Sequence, residues 1–549
     1  MVLESVEGAE NAYSFPLLIG QLLHRPRLVA QNQEIVYADV MRYRYRDFFT
    51  RLPRLANALH SLGLGFGGTV AVMDWDSQRY LECFFAVPMM GAVLQTVNVR
   101  LPHEQIAYTL NHAEADVLLI NRFFLPILTA ICKDLETVKH FIVLEDGESE
   151  AAPEGFAGEY ETLLAAAAGH YDFPEFDENT RATTFYTTGT TGLPKGVYFS
   201  HRQLVLQTLA TLSVFALFSP EQGNLHHDQV YMPMTPMFHV HAWGFPYIAT
   251  LAGVKQVYPG RYLPETLLQL KQREGVTFSH CVPTILQMLI NHPKSASIDL
   301  RGWRILLGGS VLPPGLMEMA KARGINLFSG YGMSEACPQL TLTQIPRQEI
   351  EDDGDTARRY NTGAPLPLVE LRVVNPKMEE VPHDGKSVGE VVARAPWLTQ
   401  GYLKNREQSA KLWRGGYLHT EDIAHIDESG WLQITDRIKD VIKTGGEWLS
   451  SLPLETRLSS HPAVEEVAVI AIKDDKWGER PLALVVKKPG AEVTAAELRK
   501  ILEDEVEAGR MSRYGVIERI EFVEELSKTS VGKINKRALR RQYDNELNL

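Results

Sequence analysis

The chain has 549 residues, with 55 basic against 68 acidic side chains and a formal charge of −13. Domains run to about 100–200 residues, so roughly two to four are expected; 45% apolar and 22% charged residues make a globular composition, not a disordered segment, a collagen-like fibre or a disulfide scaffold. The acidic balance argues against nucleic acid as partner of the whole molecule, while leaving room for a local basic patch that holds a nucleotide or phosphate.

The opening MVLESVEGAENAY lacks the basic and apolar regions of a secretory signal. Tyr45 to Leu62 has helix-period apolar spacing and stops before the glycines at 63–68. Strands are predicted at Thr69–Met73, Val93–Val97, Val117–Ile120 and Phe141–Leu144, with a helix from Ser77 to Met90. This strand–helix–strand rhythm, which returns at Gln256–Tyr258 and Arg304–Leu307, predicts parallel sheets with covering helices. Glu148 to Gly158 reads as a surface loop. Leu204 to Phe218 is the nearest approach to a membrane span, but Gln207, Thr208, Thr211 and Ser213 interrupt it, which predicts a buried helix and no transmembrane segment. After about Arg347, short strands at Leu371–Val374 and Gly389–Ala393 predict a small β-rich unit; from about Asp440, Val467–Ile470, Leu482–Val486 and the helical Ala495–Glu507 predict a separate α+β domain. Cys83, Cys132, Cys281 and Cys337 lie outside any C-x-x-C pair in mostly apolar contexts, which predicts buried free thiols and a cytoplasmic protein.

The densest chemical signal is Tyr186-Thr187-Thr188-Gly189-Thr190-Thr191-Gly192-Leu193-Pro194-Lys195-Gly196. Glycines bring backbone N–H groups close to an anion, threonine hydroxyls add donors and lysine adds charge, so the string is suited to cradle a polyphosphate. It is not a Walker A loop, because Gly196 follows Lys195 where that loop has Ser or Thr. His239-Val240-His241, taken as a strand, offers two side chains at metal-ligand spacing, but no further Cys, His or Asp cluster is evident beside it.

The string YTTGTTGLPKG closely resembles the phosphate-binding signature of the AMP-forming acyl-CoA synthetases, in the adenylate-forming superfamily. Further matches follow in family order: Pro236–His239, Gly308–Ser310, Ser329–Glu335, Gly363–Pro365, Tyr417–Asp422, Asp436–Asp440, Gly445–Glu447 and Gly532-Lys533. Taken singly, Asp422 and Arg437 read as solvated charges, Tyr331 as a core or rim aromatic and Lys533 as part of a basic tail. Only the ordered set gives them roles.

The resemblance implies an α/β fold: a large N-terminal domain, residues 1–437, of parallel-sheet subdomains plus a small β-barrel, and a small mobile α+β C-terminal domain, residues 438–549, hinged near Lys439. It implies ATP, Mg²⁺ and coenzyme A, and two steps: a carboxylate forms an acyl-adenylate, then the CoA thiol takes the acyl group. It implies that Thr187, Thr188, Gly189, Thr190, Thr191 and Lys195 hold the β- and γ-phosphates, and that Glu335 and Thr191 hold Mg²⁺. Gly309, Ser310, Gly330, Tyr331, Gly332 and Ser334 line the nucleotide, Tyr331 by its ring face. Asp422 takes the ribose hydroxyls with Arg437 nearby, and Gly446, Glu447 and Trp448 meet CoA. Lys533 contacts the carboxylate and α-phosphate. His239 is placed at the acyl pocket with Gly330, and Trp243 at an aromatic gate on the acyl tunnel. HVHAWGFPY and GGEWLSS resemble the fatty acyl-CoA synthetase and methylmercaptopropionate-CoA ligase branch. A medium- or long-chain fatty acid is the expected substrate. The alternatives are 3-methylmercaptopropionate or another short acid, and a stand-alone adenylation enzyme that loads a carrier protein. A homodimer is expected by analogy. Leu526-Ser527-Lys528 stands where the family often carries a proline.

Overall fold

The computed structural model describes residues 8–147, 151–187, 193–218, 225–310, 312–344, 362–444, 447–474, 476–508, 511–529 and 533–546. The early periodic segments fold as read. The helix Tyr45–Ser61 buries Phe48, Leu52, Leu55 and Leu59 and ends before Gly63, whose φ of +83° suits a glycine after a helix. Thr69–Met73 is buried at every residue, as an interior parallel strand must be. It lies within a seven-stranded sheet ordered Gly158–Glu159, His140–Leu144, Ala115–Asn121, Thr69–Met73, Val93–Thr96, Arg181–Thr187 and Lys195–Ser200, parallel except for the last pair.

A nine-stranded sheet forms the second layer system. Its parallel centre runs Asn326–Gly332, Arg304–Leu307, Phe278–Cys281, Val230–Pro233, Lys255–Tyr258 and Glu34–Tyr37, with antiparallel strands at both edges. The helix His201–Leu217 packs beside it. Ser200 caps this helix by accepting from the Gln203 N–H, and Gln203 accepts in return from the Ser200 N–H. Among the described residues no helix is long and apolar enough to cross a membrane.

The small β unit is an antiparallel half-barrel of Glu370–Val374, Gly389–Arg394, Tyr417–Ile426, Trp413–Arg414 and Leu432–Arg437. The C-terminal α+β unit pairs Val464–Asp474 with Gly478–Lys487 along nearly their whole length. Ile442, Leu454, Leu458, Val469, Val485, Leu498 and Leu502 form its own core. The helix Ala495–Glu507 keeps its predicted bounds because Thr494 and Glu497 cap each other's N–H groups.

Three expectations are corrected. Cys132 is exposed, whereas Cys83, Cys281 and Cys337 are buried; Cys132 follows a short helix whose buried face is Leu128 and Ile131, so its apolar neighbours point inward without it. The predicted loop at 148–158 gives way at Gly158, which with Glu159 adds a short edge strand; residues 148–150 lie outside the described residues. His241 is not on a strand but in a left-handed turn.

Candidate active site

The sheet topology creates a cleft at the carboxyl ends of the central parallel strands of the nine-stranded sheet, where open α/β sheets bind ligands. Phe278–Cys281 leads into Val282, Arg304–Leu307 into Gly308 and Gly309, and Asn326–Gly332 supplies Gly330, Tyr331 and Gly332; His239, Trp243 and Lys533 complete the walls. The motifs spread over nearly three hundred residues therefore share one space.

The Gly/Thr string joins two antiparallel strands in sequence, Arg181–Thr187 and Lys195–Ser200. Thr187 pairs with Lys195 at its base. Thr188, Gly189, Thr190, Thr191 and Gly192 lie outside the described residues. Lys195 Nζ sits 4.6 Å from the centre of the Tyr402 ring, and the Tyr402 hydroxyl donates to Glu335 Oε1 at 2.7 Å. Glu335 is buried, and the Thr399 N–H fixes its backbone carbonyl at 2.9 Å. Tyr402 thus joins Lys195 to Glu335. Nothing in its local sequence announces it. Among the described residues no group of three or more His, Cys, Asp or Glu gathers to cage a metal. A single held carboxylate fits Mg²⁺, which takes one or two carboxylates and completes its shell with phosphate oxygens and water.

Asp422 and Arg437 face each other across paired strands. The Asp422 carboxylate, 4% exposed, accepts from the Tyr331 hydroxyl at 2.7 Å and pairs with Arg437 Nε at 3.0 Å. Burial, with the Asp422 charge adding, pushes the Tyr331 hydroxyl well above its ordinary range, so it stays a donor. Asp422 is thus neither solvated nor unpaired, whereas Arg437 is paired yet exposed; Tyr331 and Arg437 orient the Asp422 carboxylate. Ser310 is exposed and Ser334 half-buried.

Lys533 reaches over Gly309: a Cβ built on Gly309 would lie 2.9 Å from Lys533 Cε, and Gly309 has a φ of +81°. Only glycine permits this approach. Burial lowers the Lys533 ammonium to about 8, with Arg437 acting the same way and Asp422 and Glu335 opposing. His239 is held neutral, pushed down to about 3 by burial and by Lys533 and Arg100. Gly532 lies outside the described residues, as do Gly445, Gly446 and the side chains of Glu447 and Trp448; the backbone of Glu447–Leu449 pairs with Ile442–Thr444. At the expected hinge, Ile438 N–H donates to Glu421 O at 2.9 Å, and Arg540 donates to the Lys439 carbonyl.

Val240, His241, Ala242 and Trp243 take φ values of 47°, 55°, 47° and 59° before Gly244 at 77°. Left-handed helix costs roughly 1–2 kcal/mol per residue outside glycine, so the surroundings must impose this turn. Asp76 accepts the Met237 N–H at 2.9 Å, Thr96 donates to Phe238 O at 3.0 Å, and Gln339 donates to Trp243 O at 3.5 Å. Trp243, 7% exposed, packs against Gly308, where a Cβ would meet its ring at 3.0 Å. His241 faces Phe84, Phe185 and Phe199, a neutral, fully buried ring pushed down to about 3 by burial. This turn separates the two histidines: His239 lines the cleft and His241 belongs to the core.

Residues 25–403 match the AMP-binding enzyme family and residues 454–533 the AMP-binding enzyme C-terminal domain. A long-chain-fatty-acid–CoA ligase of Thermus thermophilus is 43% identical, with 96% of each chain covered. A 3-methylmercaptopropionyl-CoA ligase of Ruegeria lacuscaerulensis is 34% identical over 97% of this chain and 98% of its own. The anthranilate CoA ligase AuaEII, solved in complex with anthranoyl-AMP, superposes with a TM-score of 0.85 at 25% identity, covering 97% of this chain and 99% of that one. The chain belongs to the AMP-binding enzyme family, among the AMP-forming acyl-CoA synthetases of the adenylate-forming superfamily.

Proposed function

We propose that the protein is an ATP-dependent ligase that converts a medium- or long-chain fatty acid to its CoA thioester. The observation that carries the acid class is the wall beneath Lys533, where Trp243, Val240, Val282 and Leu306 present apolar surface to the tail. A panel of acids assayed by AMP release with CoA tests it. The expected result is higher kcat/KM for medium- and long-chain fatty acids than for acetate or 3-methylmercaptopropionate. A preference for 3-methylmercaptopropionate overturns it.

The chemistry follows from charge. A substrate carboxylate oxygen attacks the α-phosphorus, the bond to the bridging oxygen breaks and pyrophosphate leaves. In the second step the CoA sulfur attacks the acyl carbonyl and AMP leaves. The first step brings one anion against another, so positioned cations and N–H donors are its main requirement. In this reading Thr187, Thr188, Gly189, Thr190, Thr191 and Lys195 hold the β- and γ-phosphates. Tyr331, Gly309, Ser310, Gly332 and Ser334 line the adenine end, and Asp422, oriented by Tyr331 and Arg437, takes the ribose. Lys533 stands between carboxylate and α-phosphate. Mg²⁺ when bound neutralises phosphate charge, held by Glu335 with Thr191. Residues 1–437 and 438–549 act as two domains that turn about Lys439 between steps, bringing Gly446, Glu447 and Trp448 to CoA.

Two predictions test the metal and the gate. Glu335→Gln should lower activity and raise the Mg²⁺ requirement. Tyr402→Phe, which frees the carboxylate without removing it, should raise that requirement by about 10–100-fold. Wild-type Mg²⁺ titrations in both variants would refute the assignment. Trp243→Ala should widen chain-length tolerance and change the acid KM more than the ATP KM. An unchanged acid preference with a lowered Tm would make Trp243 a packing residue only, since truncating a buried Trp costs about 3–5 kcal/mol.

A further inference from the structure

Directly before Arg437, on the strand that leads to the hinge, Asp436 points away from the nucleotide cleft into the junction with the C-terminal unit. It is 1% exposed. One carboxylate oxygen accepts the Arg437 N–H at 2.7 Å, and the other accepts the Ser451 N–H and, at 2.8 Å, the Ser451 hydroxyl. Ser451 is fully buried and opens the helix Ser451–Ser459, so the carboxylate caps the positive end of a C-terminal-unit helix. The Ser451 hydroxyl in turn accepts from Lys536 Nζ at 2.7 Å, and Lys536 pairs with Glu455 at 2.7 Å. Glu455 also accepts the Val469 N–H at 2.7 Å. Burial raises both carboxyl groups, and the Lys536 charge opposes that rise in each, which makes the lysine the cation compensating two buried acids.

Lys536 lies three residues beyond Lys533. The segment between them is tied into the C-terminal unit, since Thr529 N–H donates to Lys533 O and Asn535 N–H to Ser527 O, both at 2.7 Å. Lys533 therefore enters the cleft on a short segment whose far end is fixed through Lys536 and Ser451 to Asp436. Asp436 sits one residue from the arginine that orients Asp422.

We propose that Asp436, Ser451 and Lys536 form a latch across the hinge that positions Lys533 in the cleft, and so serve adenylation but not thioester formation. This rests on the two-domain reading of the reaction given above. A hydrogen bond to a charged group biases an equilibrium by on the order of 10- to 100-fold. Losing one should shift the ratio of the two half-reactions without touching a group that meets substrate.

The test uses full-length Ser451→Ala and Lys536→Met proteins, with Lys533→Ala as reference. Acid-dependent ATP–pyrophosphate exchange reads adenylation, and thioester formation from supplied acyl-AMP and CoA reads the second step. The expected result is a thioester-to-adenylation ratio raised about tenfold in both latch variants, with acid KM unchanged. If Lys533→Ala separates the half-reactions and the latch variants do not, the latch is overturned and the two-domain reading stands. If Lys533→Ala depresses both steps equally, the two-domain reading falls and takes the latch with it. Should Lys536→Met fail to fold with Glu455 left unpaired, Ser451→Ala alone decides: an unaltered ratio overturns the proposal.

Discussion

Lys533→Ala is expected to slow adenylation by roughly 10²–10³ while leaving conversion of supplied acyl-AMP and CoA to thioester near wild type. The geometry explains the split. The Lys533 side chain crosses Gly309 into the cleft, close enough to Arg437 for the two charges to repel and to His239 to help keep that ring neutral. A cation there is needed while two anions react, and has no such duty once AMP is the leaving group. The same burial predicts a pH signature. The group lies lowered, at about 8, and its charged form is the active one, so adenylation is full below that value and declines as pH rises through it. Thioester formation should lack this basic limb, and Lys533→Arg, always charged, should remove it from adenylation. The two half-reactions, each followed from about pH 6 to pH 10, check both statements. Equal loss of both steps in Lys533→Ala would contradict the assignment.

What was legible in the sequence followed physical range. Elements set by local periodicity and capping were readable to within a residue or so, as with Thr69–Met73 and Ala495–Glu507, because i, i+2 or i, i+3/i+4 neighbours decide them. The residues that line the cleft stand in ordered motifs of the sequence, and the fold brings Gly309, Gly330, Tyr331, Trp243, His239 and Lys533 together there. What was not legible is held by partners distant in the chain. Tyr402 meets Glu335 across 67 residues and Asp76 meets Met237 across 161, and neither sits in a string that suggests chemistry. The turn at Val240–Trp243 was hidden for a different reason. The H-x-H spacing that runs into it fits a strand, and only tertiary packing forces four non-glycine residues into left-handed backbone. Asp436 fell inside a motif, but its capping of Ser451 depends on how two units meet.

The second large effect is expected from one methyl group. In the strand Asn326–Gly332, Gly330 and Gly332 lie on the same face, yet the space around them differs. A Cβ on Gly330 would meet Leu342 Cδ2, the end of a side chain, at 2.7 Å, and backbone no nearer than the Thr341 carbonyl oxygen at 3.2 Å. A Cβ on Gly332 would lie 1.8 Å from the Pro338 carbonyl oxygen, which is backbone. The register shift between Tyr331 and Gly332 makes this close crossing, and the same Pro338 oxygen accepts the Met333 N–H at 2.9 Å. The crossing closes the loop that carries Glu335. Gly332→Ala must therefore push Pro338 outward, break the Met333 bond and move Glu335 relative to Tyr402 and Tyr331 relative to Asp422. Displacing reacting partners by about an ångström costs on the order of 10²-fold in rate, and overpacking costs about 1–3 kcal/mol of stability. Gly330→Ala should lose far less, since Leu342 can rotate. Pyrophosphate exchange and thermal melting on both variants check the contrast: Gly332→Ala should lose about 10²-fold in exchange with a lowered Tm, and equal behaviour of the two would show that the crossing does not hold Glu335 in place.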